Sequence, residues 1–341
     1  MTGGWEQDVL GRPFERLTLP LGSDSEGEVV ATLVRLDPPK LAGLTGPLRD
    51  VDVLYLHGWS DYFFQVELAR FWASLGARFH ALDLRKYGRS LRPGNTPGFV
   101  TSLDVYDADI AAALGAMGHP LDRPRSHRRL VMMGHSTGGL TATLWASRHH
   151  GRLDALVLNS PWLELQLGTL GRQALSPLVQ MRARVDPMGA HPVVDLGFYT
   201  RAQTEVGALP VRGYRREWRP ERGFPTHPGW LAAIVEGHRR VSAGVDVGCP
   251  TIVLLSTKST NPFAWNAEMT GSDSVLVVDD IARAATRIGR EVTLARIEGG
   301  IHDIFLSRPT PREQAYLALE RWLMRGVLGR SRGSRRARES G

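Results

Sequence analysis

Short apolar runs, each long enough for one strand, alternate with stretches of helical periodicity along much of the chain, and few architectures accommodate that order. Val51–His57 (VDVLYLH), Ala77–Leu84 (ARFHALDL), Leu130–Gly134, Leu153–Leu158, Thr251–Ser256 and Val292–Ile297 read as strands. Their continuous hydrophobicity suits strands buried on both faces. Glu28–Leu36 (EVVATLVRL) adds an earlier, antiparallel edge strand. Leu103, Tyr106, Ile110 and Leu114 recur at helical spacing and mark one face of an amphipathic helix. Thr141–His149, after Gly138-Gly139, and Arg312–Met324 read as further helices. The alternation predicts an α/β fold, a mostly parallel central sheet with helices on both faces.

The alternation lapses between about Pro161 and Gly248. That stretch is rich in proline, including Pro177, Pro187, Pro192 and Pro210, and in aromatics such as Trp162, Tyr199, Trp218 and Trp230. Disordered segments are seldom so aromatic, so an ordered insertion is expected. The organisation predicted is a core over residues 1–160 and 249–326, a cap or lid over 161–248, and a basic disordered tail over 327–341.

The chain has 341 residues, 42% of them hydrophobic, enough for a sizeable core. Its net charge is +7, but Arg325, Arg330, Arg332, Arg335, Arg336 and Arg338 crowd the C-terminal end. The remainder is nearly balanced, so no nucleic-acid face is expected, and the tail offers at most peripheral contact with acidic lipids. Cys249 is the single cysteine, which excludes an intrachain disulfide framework and a Cys-rich zinc site. The first residues lack the apolar run of a signal peptide, and no stretch has the length of a membrane span. A cytoplasmic location is therefore expected.

Chemistry enters with Gly134-His135-Ser136-Thr137-Gly138, a match to G-x-S-x-G. In this motif a serine sits on a strained strand-to-helix turn, and small neighbours permit close backbone approach. The first N–H groups of the following helix favour negative charge. The pattern recurs at Gly329-Arg330-Ser331-Arg332-Gly333, but only Ser136 follows an apolar strand and precedes a helical stretch. Ser136 is the candidate nucleophile.

A serine hydroxyl needs a base, and the base needs an acid to orient it and stabilise its charge. With this motif the partners follow in the order serine, carboxylate, histidine. His302, in Gly299-Gly300-Ile301-His302-Asp303 just past a strand, is the candidate base. The acid should follow Thr251–Ser256, yet Thr257-Lys258-Ser259-Thr260-Asn261 holds no carboxylate. Asp273 is the first choice, Asp279 the second and Glu268 the third. Asp279 and Asp280 directly precede a helical stretch, where helix capping is their more ordinary role. His57-Gly58-Trp59, after a core strand, offers an N–H that could join that of Thr137 in holding an oxyanion.

With these residues in view, the chain resembles the monoacylglycerol lipase, lysophospholipase and serine aminopeptidase branch of the α/β-hydrolases. The resemblance runs through LHGWSDYFF (56–64), ALDLRKYGRS (81–90), MGHSTGG (133–139), LNSPWLEL (158–165) and EGGIHDIFLS (298–307). It implies an α/β-hydrolase fold with an inserted cap, Ser136 as nucleophile, His302 as base, and Trp59 and Thr137 as oxyanion donors. It also implies no metal and no cofactor. The chain departs from the family at the acid loop, where Ser256-Thr257-Lys258-Ser259 stands in place of a Gly-Ser-x-Asp-type sequence.

The expected activity is hydrolysis of a small carboxylic ester, lipid-like in character, such as a monoacylglycerol or lysophospholipid, through an acyl-enzyme on Ser136. Trp59, Tyr62, Phe63 and Phe64 would form an apolar acyl pocket or simply pack the core. Arg212, Arg215, Arg216 and Arg219 would form a phosphate-binding rim or a solvated face. An aminopeptidase or amidase would use the same triad and need a carboxylate for a substrate amine, with Glu164, Glu205, Glu217, Glu221 and Glu236 available. A non-catalytic binding protein on this fold is the remaining reading. The sequence leaves the oligomeric state open.

Overall fold

The structure, a computed structural model, describes residues 4–165, 169–189 and 195–327. Most of the expected basic tail, Ser331 included, lies outside the described residues, as does Pro192. The chain opens with β1 (Glu6–Gln7), β2 (Glu15–Asp24) and β3 (Gly27–Leu36), paired antiparallel in succession. Next come α1 (Lys40–Thr45), β4 (Val51–Leu56), α2 (Val66–Ser74), β5 (Arg78–Asp83) and α3 (Tyr106–Met117). They lead to β6 (Arg129–His135), α4 (Thr137–Arg148) and β7 (Ala155–Asn159). Between β7 and β8 (Thr251–Ser256) lie α5 (Thr169–Val185), α6 (Phe198–Glu205) and α7 (Pro228–Ala243). The described order closes with α8 (Val278–Ala285), β9 (Val292–Ile297) and α9 (Pro309–Trp322).

All these strands join one nine-stranded sheet in the order β1-β2-β3-β5-β4-β6-β7-β8-β9. From β5 to β9 every pairing is parallel, and β3 runs antiparallel to β5. This is the mostly parallel sheet that the alternation of apolar runs predicts, with two corrections. Glu28–Leu36 is antiparallel but not an edge, because β2 lies outside it. The segment ERLTLPLGSD of β2 is largely solvated, and its charges, Pro20 and Gly22 dilute the alternation that marks a strand. At the other edge β9 is not buried on both faces. Having one neighbour only, it leaves Leu294 41% exposed.

Alternating side chains of the central strands feed two cores, as the two-residue period of a strand requires. Leu54, Leu56, Met132, Leu156, Leu158 and Val253 belong to the core shared with α3, α4 and α7. Val53, Tyr55, Val131, Met133, Val157 and Ile252 belong to the core shared with α2 and α9. α7 packs closely on α4, since a Cβ at Gly237 would lie 3.0–3.3 Å from Leu103, Leu140 and Leu144. α4 starts at Thr137 and α9 at Pro309, both earlier than hydrophobic spacing suggests. A proline fits the first turn of α9 because its missing N–H has no intrahelical partner there.

Candidate active site

Ser136 occupies the turn between β6 and α4 at φ +52° and ψ −117°. A non-glycine residue held there carries backbone strain, and its surroundings show what enforces it. A Cβ at Gly134 would sit 2.5 Å from the Gly138 carbonyl oxygen, and one at Gly138 would sit 2.3 Å from that of His57. One at Gly139 would meet Pro161 at 2.7 Å. Glycine is thus required at three elbow positions by the packing of neighbouring chain. The Ser136 N–H donates to the Asn159 carbonyl at 3.0 Å, and its own carbonyl accepts from Trp162 N–H at 2.9 Å.

His302 follows β9 and is buried. Its Nδ1 lies 2.9 Å from Asp273 Oδ2. The other Asp273 oxygen accepts the N–H groups of Val275 and Leu276 at 2.8 and 2.7 Å, so the carboxylate is fixed at both ends. The chain brings Asp273 back to β8 by main-chain pairing. Asp273 N–H donates to the Lys258 carbonyl at 3.0 Å, and Thr260 N–H donates to the Asp273 carbonyl at 2.8 Å.

The other candidate acids lie elsewhere. Asp279 is 75% exposed and accepts from Arg296 at 2.7 Å. It stands in the first turn of α8 and is not the helix cap, which is Val277 and provides no side-chain hydrogen bond. Glu268 is 66% exposed and faces Lys258. Among the described residues no hydrogen bond joins Ser136 Oγ to His302. The ring of His302 instead lies 5.0 Å from that of His135, the residue beside Ser136.

The turn after β4 runs against the elbow, where a Cβ at Gly58 would come within 3.1 Å of Ser136 Cβ. His57 Nε2 accepts the Leu84 N–H at 3.1 Å, which leaves Nδ1 to donate to the Gly58 carbonyl at 2.8 Å. Burial lowers the pKa of His57, consistent with a neutral ring that shapes the turn. Beyond it, Asp83 accepts the Phe63 N–H at 2.9 Å and an Arg89 guanidinium N–H at 2.8 Å. Arg89 in turn forks onto Asp8 at 2.6 and 2.8 Å. These buried charges anchor the segment that carries Trp59. Thr137 opens α4, so its N–H is one of the first-turn donors without an intrahelical acceptor.

Around this centre the side chains are mostly aromatic. The Trp59 ring lies 3.7 Å from that of Trp230, with Phe224 and Tyr87 edge-on to it. Tyr199 of α6 stands edge-on to His302 at 5.3 Å. Tyr62, Phe63 and Phe64 are fully buried in the core. Phe63 packs against Tyr55 and Phe79, and Tyr62 against Trp218, so these three pack the core and do not line a pocket. A groove of about 330 Å³ bordered by Leu144, Arg184 and Arg240 lies toward the far end of α4, away from Ser136.

The four arginines do not act as a set. Arg219 is buried, 3.0 Å from Asp61, and donates to Gln203 at 2.7 Å, whereas Arg212, Arg215 and Arg216 are exposed. Burial raises the pKa of Asp61 to about 7 despite the opposing charge of Arg219. Burial lowers that of His135 to about 4.

Sequence reasoning passed over several residues here. Asp303 Oδ1 accepts from Asn159 Nδ2 at 2.7 Å and from Phe305 N–H at 3.1 Å, and Oδ2 accepts from Gln65 Nε2 at 3.1 Å. The Asp303 N–H donates to the Tyr199 hydroxyl at 3.1 Å. The sequence signals were adjacency, Asp303 to His302 and Asn159 to the end of an apolar strand, and membership of the segments EGGIHDIFLS and LNSPWLEL.

A sequence model of the family described as serine aminopeptidase, S33, matches residues 49–259, more than half of the chain. Human and mouse (lyso)-N-acylphosphatidylethanolamine lipases are each 33% identical to it over 98 and 91 residues. The chain thereby spans about a quarter of these relatives' length, 24% of each, and the matched part is 26% of this chain. A soluble variant of Saccharomyces cerevisiae monoglyceride lipase shares the fold at 15% identity and a TM-score of 0.61, covering 90% of this chain and 95% of the lipase. The Paleococcus ferrophilus monoacylglycerol lipase does so at 17% identity and 0.58, covering 87% and 98%. A matching elbow, sheet order and family model converge, and the chain belongs to the serine aminopeptidase S33 family of α/β-hydrolases.

Proposed function

We propose that the protein is a serine hydrolase that cleaves carboxylic esters of lipid-like substrates, with monoacylglycerols and lysophospholipids as the substrate classes. The observation that carries this reading is the buried 2.9 Å hydrogen bond between His302 and Asp273, with the His302 ring 5.0 Å from that of His135, the chain neighbour of a serine held at positive φ on a strand-to-helix turn. A serine hydroxyl with a positioned, charge-stabilised imidazole at hand is a nucleophile, and a non-catalytic protein would have no need of the pair.

In the mechanism Ser136 Oγ attacks the ester carbonyl carbon while His302 Nε2 takes its proton. The carbonyl oxygen gains negative charge and is held by the N–H groups of Trp59 and Thr137. His302 then returns the proton to the departing alkoxide, leaving an acyl group on Ser136. Water repeats the sequence and releases the acid. Asp273 keeps the Nδ1 proton in place and stabilises the imidazolium.

An ester fits the surroundings better than a substrate amine. Glu217 and Glu221 stand on the exposed surface. Glu205 is paired with Arg201, Glu236 with Arg239 and Arg240, and the buried Asp61 with Arg219. These carboxylates are already engaged by cations, whereas Trp59, Phe224 and Trp230 offer apolar surface. We assign residues 161–248 as the cap, whose Tyr199, Arg219 and Trp230 close over the site.

The test is labelling with a fluorophosphonate, followed by turnover of esters of graded acyl length. The wild type should label and hydrolyse, and Ser136→Ala should do neither, with kcat lower by a factor on the order of 10⁶. Labelling or turnover retained in Ser136→Ala would end the serine-hydrolase reading.

A further inference from the structure

Catalysis by this arrangement requires that the elbow and the base loop, which come from distant parts of the chain, stay in register. A displacement of about 1 Å can cost ~100-fold in rate. Asn159, the last residue of β7 and fully buried, touches both. Its backbone carbonyl accepts the Ser136 N–H at 3.0 Å. Its side-chain Oδ1 accepts the Ile304 N–H at 3.2 Å, so Nδ2 faces Asp303 Oδ1, to which it donates at 2.7 Å. Gln65, on the segment that follows the oxyanion turn, holds the other oxygen of Asp303 at 3.1 Å.

We infer that Asn159 is a positioning residue: through Asp303 it locks the loop carrying His302 to the elbow carrying Ser136. The inference rests on the serine-hydrolase reading. Asn159 suits the task because its amide donates and accepts at once, and both atoms are used. An aliphatic residue would fill the space but leave Asp303 short of a donor, and a buried polar group without its partner is costly.

The test exploits an isosteric change. Asn159→Asp places a second carboxylate against Asp303, and two carboxylates in contact keep a hydrogen bond only by sharing one proton. The other groups around Asp303 are Tyr55 of β4, Asp61, His135, Tyr199 of α6, His302 and Tyr316 of α9. They are the same in wild type and variant, so the comparison at each pH isolates the new pair. The kcat of Asn159→Asp should fall ~100-fold below wild type at pH 8, with KM within about twofold, because register and not binding is lost. At pH 6 the shared proton should narrow the deficit to about tenfold. Asp303→Asn, which creates no carboxylate pair, should lose kcat by the same ratio at both pH values.

A kcat for Asn159→Asp within about twofold of wild type at pH 8, or a deficit that does not change with pH, would overturn the inference. If Asn159→Asp fails to fold by circular dichroism, Asn159→Ser, Asp303→Asn and their double variant decide. Losses in kcat that do not multiply support one shared link, and losses that multiply overturn it. Ser136→Ala keeps the two readings apart. Activity in that variant removes the serine hydrolase itself, whereas an inactive Ser136→Ala beside normal Asn159 variants removes only the positioning role.

Discussion

Ser136 sits among glycines close to it in the chain that let neighbouring strands and turns pack against it, whereas Asp273 reaches its place by pairing with a segment on the other side of a long loop. At the elbow the glycines at 134, 138 and 139 each meet neighbouring backbone or Pro161 at distances that exclude a Cβ. At the acid loop the main chain of Asp273 is bonded to Lys258 and Thr260, and a Cβ added at nearby Gly271 would meet Gly299 no closer than 3.7 Å. One region is fixed by steric exclusion and the other by hydrogen bonds to main chain and side chain. The contrast teaches that the candidate nucleophile is placed by close packing and the candidate acid by main-chain pairing, which brings the Asp273 carboxylate back from far beyond Ser256.

The sharpest test of the contrast is at the candidate acid, Asp273. Asp273→Asn should lower kcat by a factor on the order of 10⁴, because the amide cannot hold the His302 Nδ1 proton as a carboxylate does. Asp279→Asn should leave kcat unchanged and shift stability by at most about 0.5 kcal/mol, since its exposed pairing with Arg296 is worth little. Steady-state kinetics and a denaturant titration on both variants check this. If Asp279→Asn were the damaging change, the loop would work in a conformation other than the one described.

How much of this was legible follows the same division. The parallel strands and the elbow turn declared themselves by local patterns, and the same pattern, an apolar run followed by glycine and a polar residue, singled out His302 as a candidate. The Asp273–His302 contact spans separate loops, and no local period encodes the bridge that brings Asp273 back, so sequence alone left Asp279 and Glu268 open. The hairpin strand β2 was missed because its solvated face carries charges. Tyr62, Phe63 and Phe64 could have lined a pocket or filled a core, and only their position beneath the sheet decides for the core. Asn159 and Asp303 were invisible as a pair because each looks ordinary until the fold joins them.

Glycine replacement probes the steric half of the comparison. Gly138→Ala should cost about 3 kcal/mol, since its Cβ would have to displace the His57 carbonyl or the start of α4. Gly271→Ala, at φ −149° and with ordinary contact distances, should change stability by no more than about 0.5 kcal/mol and leave kcat intact. Chemical denaturation at fixed pH reads both. Similar costs for the two would dissolve the distinction between an excluded-volume elbow and a tolerant loop.

The smallest expected effect concerns acid, and it too should belong to the elbow. His135 sits beside Ser136, and burial depresses its pKa from 6.5 to about 4. Of the charges around it, Asp303 and Asp273 favour protonation while His302 and Arg219 oppose it. Below pH 6.5 the unfolded chain binds a proton that folded His135 refuses, so the unfolded state gains and stability is lost as pH falls from 6.5 toward 4. At pH 5 the loss should be on the order of 2 kcal/mol. His135→Gln removes this acid-sensitive group, and its thermal midpoint should decline less than that of wild type between pH 6.5 and 5. A decline as steep as wild type would mean that the elbow histidine takes its proton without unfolding, and the closed packing around Ser136 would then be looser than the glycine contacts imply.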